Sequence, residues 1–244
     1  MSVWRFVWRL SALFLWVGLG LLLLALVFPF LQQAGRNQQI RWWSRGLLHW
    51  CGVRVDYIGQ VVTATPVLFV SNHVSWLDIF ILNAQRATAF VAKSEIRRWP
   101  VLGWLVAGAG TVFIERGQRQ AIKHVSEQMQ ALFRQNQAVG LFPEGTTSDG
   151  LAVGSFHASL FETALSTGVD IQPLVLRFYD GEQRSPRVAF VGEQSLLQNM
   201  WLLLSRPGVR VECEFLAVLP HAQNRQQGRV ETALQAQTAI QKAL

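Results

Sequence analysis

Cysteine is nearly absent from this chain. Cys51 and Cys213 are its two examples in 244 residues, far apart in sequence and outside any metal-type cluster. That indicates neither a zinc site nor a disulfide framework, and it fits a reducing compartment. Charge is also scarce: 15% of the residues are charged and half are apolar, against about 25% charged in an ordinary soluble protein. Something besides water therefore borders part of the surface. The charge that exists is lopsided, with 22 Lys and Arg over 15 Asp and Glu for a net +7. Such a surplus suits an anionic neighbour, whether lipid headgroups, an acidic carrier protein, a nucleotide-bearing substrate or nucleic acid, and composition does not choose among them. No internal repeat, low-complexity segment or long linker divides residues 53–220, so they read as one domain. No Gly-x-Ser-x-Gly elbow occurs, which disfavours a serine hydrolase, and a metal hydrolase needs more ligands than any stretch supplies.

Residues 10–31 carry no charge. At 1.5 Å per residue they reach about 33 Å, against about 30 Å of bilayer hydrocarbon. Arg5 and Arg9 precede this run, but no clear Ala-x-Ala cleavage site follows, so the run reads as a retained anchor, either one span or part of a re-entrant helix pair. Arg36, Arg41 and Arg45 crowd the other flank, and the positive-inside rule then pulls both ways. Ile40, Trp43, Leu47 and Trp50 form a helical stripe with Arg41 and Arg45 off it, which fits either a basic amphipathic helix on a membrane or a core-facing helix. Residues 1–52 are the expected anchoring helices and residues 53–244 the expected catalytic domain.

Strand-like runs cover residues 53–58, 66–70, 88–92, 110–116, 138–142, 171–178, 187–191 and 209–218, with Pro173 expected at an irregularity. Helix-like runs cover residues 99–105, 118–135, 156–165 and 195–204 and the tail after Asn224. The mixture predicts an α/β fold: a mixed, largely buried sheet with surrounding helices, preceded by the N-terminal membrane-anchoring segment.

The chemistry concentrates in Ser71-Asn72-His73-Val74-Ser75-Trp76-Leu77-Asp78, between the apolar runs 66–70 and 79–82. Polar residues there sit where a buried strand turns toward a helix, which is where α/β proteins place their sites. An imidazole takes a proton from a hydroxyl near neutral pH when a carboxylate holds its tautomer and stabilises its cation. On one regular helix His73 and Asp78 would stand about 140° apart, so His73 is expected in the turn and Asp78 in the first helical turn. Two more strand ends carry polar groups: Gly110 to Arg116 delivers an arginine, and Phe142-Pro143-Glu144-Gly145-Thr146 delivers a carboxylate and a hydroxyl.

In this order and at these spacings the three pieces resemble the glycerolipid acyltransferase family, whose members include 1-acylglycerol-3-phosphate acyltransferases. Gln172-Pro173-Leu174-Val175 resembles its fourth, loosest block, and the resemblance covers roughly residues 50–220. It implies transfer of a fatty acyl group from a thioester, on acyl carrier protein or coenzyme A, to a lysolipid hydroxyl, with no further cofactor and no metal. It also implies that His73 is the general base, that Asp78 orients it, and that Arg116, Glu144, Gly145 and Thr146 help bind the acceptor, with Lys93 as a further cation. The implied setting is the cell inner membrane with the catalytic domain facing the cytoplasm, and the leading acceptor is 1-acylglycerol-3-phosphate.

Two departures bear on the headgroup. Thr147 stands where many phosphate-specific members have Arg, and Phe156-His157-Ala158-Ser159 replaces a common Phe-Lys-x-Gly pattern. Both point toward the alternative, a lyso-ornithine lipid. His157 and Glu162 repeat the spacing of His73 and Asp78 without the strand-end context, so they read as structural. The non-enzymatic alternative is a basic module that binds membrane or nucleic acid through Arg and Trp. Such a module has no use for a buried His and Asp pair, and no nucleic acid is expected as partner.

Overall fold

The computed structural model describes residues 1–99, 102–115 and 119–244. Its centre is β2 (Val67–Ser71), in which every residue is buried. Because successive strand side chains point to opposite faces, Val67 and Phe69 enter one core cluster while Leu68 and Val70 enter the other. A strand apolar on both faces needs cover on both, and two helix layers supply it. On the first face lie α1 (Val3–Leu26), α2 (Gln33–Cys51), α3 (Asp78–Gln85) and α7 (Leu196–Leu204). On the second lie α5 (Arg119–Arg134), α6 (Phe161–Thr167) and α8 (His221–Ala243).

The other strands are β1 (Val53–Ile58), β3 (Thr88–Lys93), β4 (Val112–Ile114), β5 (Ala138–Leu141), β6 (Asp170–Asp180), β7 (Gln183–Arg184) and β8 (Val209–Phe215). Among the described residues they form a sheet ordered β1-β8-β6-β2-β5-β3-β4, with β7 on β6. β6, β2, β5, β3 and β4 run parallel, while β8 is antiparallel to β6 and parallel to β1. This is the mixed, buried sheet that the sequence pattern predicts, and the parallel strands place their C-terminal ends on one edge.

β6 stays paired with β2 through Pro173, which partners Val70, but on its other side the ladder with β8 ends at Leu174 and Phe215 and reappears one residue out of register at the Ile171–Leu219 bridge, so the expected irregularity lies at this proline. One local expectation needs correction. Residues 187–191 are not a strand. Pro186–Val188 is a single 3₁₀ turn, and Asn199 Nδ2 donates to the carbonyls of Val188 and Ala189, drawing this segment onto α7.

The N-terminal helices are built into the same core as the sheet, since Leu13, Leu47, Leu48 and Cys51 belong to the first cluster. α1 and α2 are locked by a reciprocal device. Trp16 Nε1 donates to the Trp43 carbonyl at 3.0 Å and Trp43 Nε1 to the Trp16 carbonyl at 3.1 Å. A Cβ on Gly46 would overlap the Trp16 ring, and one on Gly20 would overlap that of Trp43, so each helix offers a glycine as the seat for the other's indole. α2 turns Leu47 and Leu48 inward, and Arg45 Nε donates to the Ala84 carbonyl at the C-terminal end of α3. The stripe on α2 is thus core-facing. α1 is long and apolar enough to cross a membrane. Its inner face packs on the domain, while Trp4, Val7, Trp8, Phe14, Leu15, Leu22 and Leu26 form an exposed apolar stripe opposite.

Candidate active site

His73 lies just beyond the end of β2, and Asp78 is the first residue of α3. The chain between them curls so that one carboxylate oxygen, Asp78 Oδ2, receives three donors. Val74 N–H and Ser75 N–H approach at 2.7 and 2.9 Å, and His73 Nδ1 lies at 2.8 Å. A carboxylate only accepts, so the neutral imidazole carries its proton on Nδ1 and leaves the Nε2 lone pair to take another. Asp78 is fully buried whereas the His73 side chain is 21% exposed. The carboxylate is therefore shielded and the imidazole is accessible.

The imidazole is held on its flat side as well. It stacks on Phe142 with ring centroids 4.0 Å apart and planes 11° apart, and Phe142 stacks in turn on Phe90 at 5.4 Å. Gly140 makes this possible, since a Cβ there would strike the Phe90 ring. The His73 backbone is pinned from both directions: its N–H donates to Glu144 Oε1 at 3.0 Å, and its carbonyl accepts from the Ser148 N–H at 2.7 Å.

Glu144 thus has a definite use. Its second oxygen accepts from the Gly154 N–H at 2.9 Å, so the side chain latches the loop after β5 to the His73 turn. Gly145 has φ 72°, the left-handed region that suits glycine, and its N–H closes a turn on the Phe142 carbonyl at 3.0 Å. Thr146 is exposed on that turn. Lys93 is exposed at the end of β3. The strand order sets β2, β5 and β3 side by side, which puts Lys93 at the same edge of the sheet as the His73 turn, two strands away. β4 follows on the same edge, and Arg116, two residues beyond its end, lies outside the described residues.

Several supporting residues escape a reading of the sequence. Asn72 gives Nδ2 to the Leu176 carbonyl at 3.0 Å and takes the Leu176 N–H on Oδ1 at 2.9 Å, joining the end of β2 to β6. Trp76 Nε1 donates to Asn199 Oδ1 at 2.9 Å, tying the His73 turn to α7. The Thr147 hydroxyl donates to the Phe190 carbonyl, and the Phe190 N–H donates to the Val74 carbonyl at 2.9 Å. His157 is exposed, with its N–H on the Pro143 carbonyl at 2.9 Å. The sequence signal available for these links was a cluster of polar residues around the three motifs, without their partners. Cys51 and Cys213 are free and buried; burial pushes the Cys51 thiol up to about 12 and raises that of Cys213 further. Among the described residues no three His, Cys, Asp or Glu side chains converge as a metal site.

An apolar cavity opens between α1, α2, α3 and α4 (Leu102–Gly108). Leu24, Phe28, Ile40, Phe80, Phe90 and Leu105 are among its lining residues. Phe90 also ends the aromatic stack under His73, so this space lies two rings from the imidazole.

The Acyltransferase family matches residues 53–177. The chain is 33% identical over 209 residues to a lyso-ornithine lipid O-acyltransferase of Pseudomonas aeruginosa, covering 86% of this chain and 79% of the relative. It is likewise 33% identical over 191 residues to a 1-acyl-sn-glycerol-3-phosphate acyltransferase of Neisseria meningitidis, covering 78% and 74%. The crystal structure of the 1-acyl-sn-glycerophosphate acyltransferase PlsC from Thermotoga maritima superposes with a TM-score of 0.74 at 18% identity, covering 99% of this chain and 94% of that one, which is agreement in fold. With the matched segment running from β1 into β6, through the His73 turn and the Glu144 loop, this chain belongs to the acyltransferase family.

Proposed function

We propose that this protein is a membrane-associated O-acyltransferase that moves a fatty acyl group from a thioester to a lysolipid hydroxyl, with 1-acylglycerol-3-phosphate as the acceptor and phosphatidate as the product. The observation that carries the proposal is the buried carboxylate on Nδ1 of an accessible imidazole. In this reading His73 Nε2 takes the hydroxyl proton as the oxygen attacks the thioester carbonyl. The new C–O bond forms, the C–S bond breaks, and the imidazolium returns its proton to the departing thiolate. A positioned base contributes about 10² to 10⁴ in rate. The donor is acyl carrier protein or coenzyme A, and no other cofactor takes part.

The cavity beside Phe90 suits an alkyl chain, because its lining is almost wholly apolar. Lys93, Thr146 and Arg116 serve the headgroup on the strand-end edge, where a forked guanidinium suits a phosphate. Glu144 and Gly145 serve the acceptor indirectly, by shaping the loop. α1 lies along the domain rather than away from it, which favours a helix pair lying in one face of the bilayer over a single span. The site then faces the cytoplasm at the cell inner membrane, where acyl thioesters are made.

A second acceptor has a specific observation behind it. The Thr147 hydroxyl is spent on the Phe190 carbonyl, so a position that holds Arg in many phosphate-specific relatives here contributes no charge, which favours a lyso-ornithine lipid. The test supplies purified membrane-bound enzyme with a long-chain acyl thioester and both lysolipids in competition, and identifies products by mass spectrometry. Phosphatidate as main product, with a raised KM for the phosphate acceptor in Arg116→Ala and Lys93→Ala, supports the first reading. A diacylated ornithine lipid without phosphatidate replaces it with the second.

A further inference from the structure

We infer that α7, with the first turns of α1, forms a second membrane-docking surface on the catalytic domain, whose partner is the acyl region of an anionic bilayer. The inference rests on the membrane-associated reading above and adds a contact outside residues 1–52. A groove between the two helices is lined by Phe6, Leu197, Gln198, Trp201 and Leu202 and is almost entirely apolar. Leu197 is 64% exposed, and on the flank of α1 next to Phe6 Val3 is 65% exposed and Val7 49%. Leu197 and Trp201 are four residues apart, hence on one side of α7; Asn199 and Leu203, also four apart, form another side and are buried.

Continuity with α1 identifies the occupant. Ser2 N–H donates to the Ser205 carbonyl at 2.7 Å, Arg9 Nη1 to the Arg206 carbonyl at 2.9 Å, and the Phe6 and Trp201 rings meet at 4.7 Å. These contacts fix the start of α1 to the C-terminal end of α7. Val3, one turn from Phe6, and Val7 join the groove to the outer stripe of α1, so seating that stripe in lipid brings the groove to the membrane surface. Cations flank it, since Arg5 adjoins Phe6 and Arg206 follows the end of α7, while indoles favour the bilayer interface. The side of α7 that carries Asn199 holds Trp76 of the catalytic turn, so the depth of α7 sets the height of His73 over the membrane.

The test places a nitroxide label at Leu197→Cys, and separately at Val230→Cys, an exposed position on α8 in the other helix layer. Cys51 and Cys213 are fully buried and do not compete for the label. On vesicles of phosphatidylglycerol and phosphatidylethanolamine, the label at 197 is expected to gain contact with oxygen and lose contact with a water-soluble nickel chelate, while the label at 230 stays in water. Leu197→Glu is expected to lower vesicle binding about tenfold, the scale of one leucine withdrawn from lipid, while keeping turnover of detergent-dispersed substrate. Equal nickel contact at 197 and 230 on bound enzyme overturns the inference. So does spin–spin broadening at 197 that is the same in detergent and on vesicles, since the groove would then join two copies. Turnover in detergent tests the acyl-transfer reading separately, so failure of one does not masquerade as failure of the other.

Discussion

Replacing Asp78 by asparagine keeps the shape of the site and removes its charge. The carbonyl oxygen of the amide can take the place of Oδ2 and still accept from Val74 N–H, Ser75 N–H and His73 Nδ1. The amide nitrogen then falls where Oδ1 now lies without a partner among the described residues. What disappears is the attraction between the carboxylate and the imidazolium formed during proton transfer. At 2.8 Å and an effective dielectric of about 20, Coulomb's law gives about 6 kcal/mol, and the neutral hydrogen bond that remains offsets about 0.5 to 1.5 kcal/mol of it. The barrier to acyl transfer should therefore rise by about 4.5 to 5.5 kcal/mol, a fall in kcat of about 10³ to 10⁴. Asp78→Ala is a poorer test, because it strands two buried backbone donors and costs about 1 to 3 kcal/mol of stability for each. The assay measures kcat and KM for thioester and lysolipid on vesicles, with Tm measured on the same preparations. A large fall in kcat at unchanged Tm is expected. An Asp78→Asn enzyme within threefold of the original kcat would show that the charge on Asp78 has no part in the reaction.

His73→Ala should abolish turnover while the protein still expresses and binds vesicles; residual turnover near the original level would remove the base from the mechanism. Glu144→Gln sets an amide NH₂ against either the His73 or the Gly154 N–H, so Tm should fall by the equivalent of about 1.5 to 3 kcal/mol, and kcat should fall more than KM rises. Asn72→Leu leaves both backbone groups of Leu176 without their partner, and chemical denaturation should show a loss of about 2 to 5 kcal/mol. Gly46→Leu forces the Trp16 indole out of its seat; overpacking of this kind costs about 1 to 3 kcal/mol, to be read as a lower Tm. Cys51 and Cys213, with thiols raised by burial, should resist a thiol-alkylating reagent until the domain unfolds, which peptide mass mapping would show.

Most strands and helices, and the His73 and Asp78 pair, were legible in the sequence because each depends on local order. Alternation with a period of two marks β1, apolar runs bounded by turn residues mark β2 and β5, and a five-residue separation across a strand-to-helix turn is short enough to fix which side chains meet. Residues 187–191 show where local pattern fails: they look like a strand, but Asn199, distant in sequence, takes up their carbonyls. The order β2-β5-β3-β4 depends on crossovers that leave no mark on composition, and it alone brings the ends of β2, β5 and β3 to one edge. Glu144 shows the same division. The family resemblance implied a group that helps bind the acceptor, and nothing local in the sequence showed that its two oxygens accept from the backbone N–H groups of His73 and Gly154, which lie in segments that only the tertiary fold brings together. The sequence by itself determined the His73 and Asp78 pair and the apolar stretch of the N-terminal segment. Only the tertiary structure decided what holds the pair in place, and how α1 lies on the domain, because both depend on contacts between residues up to about 200 positions apart.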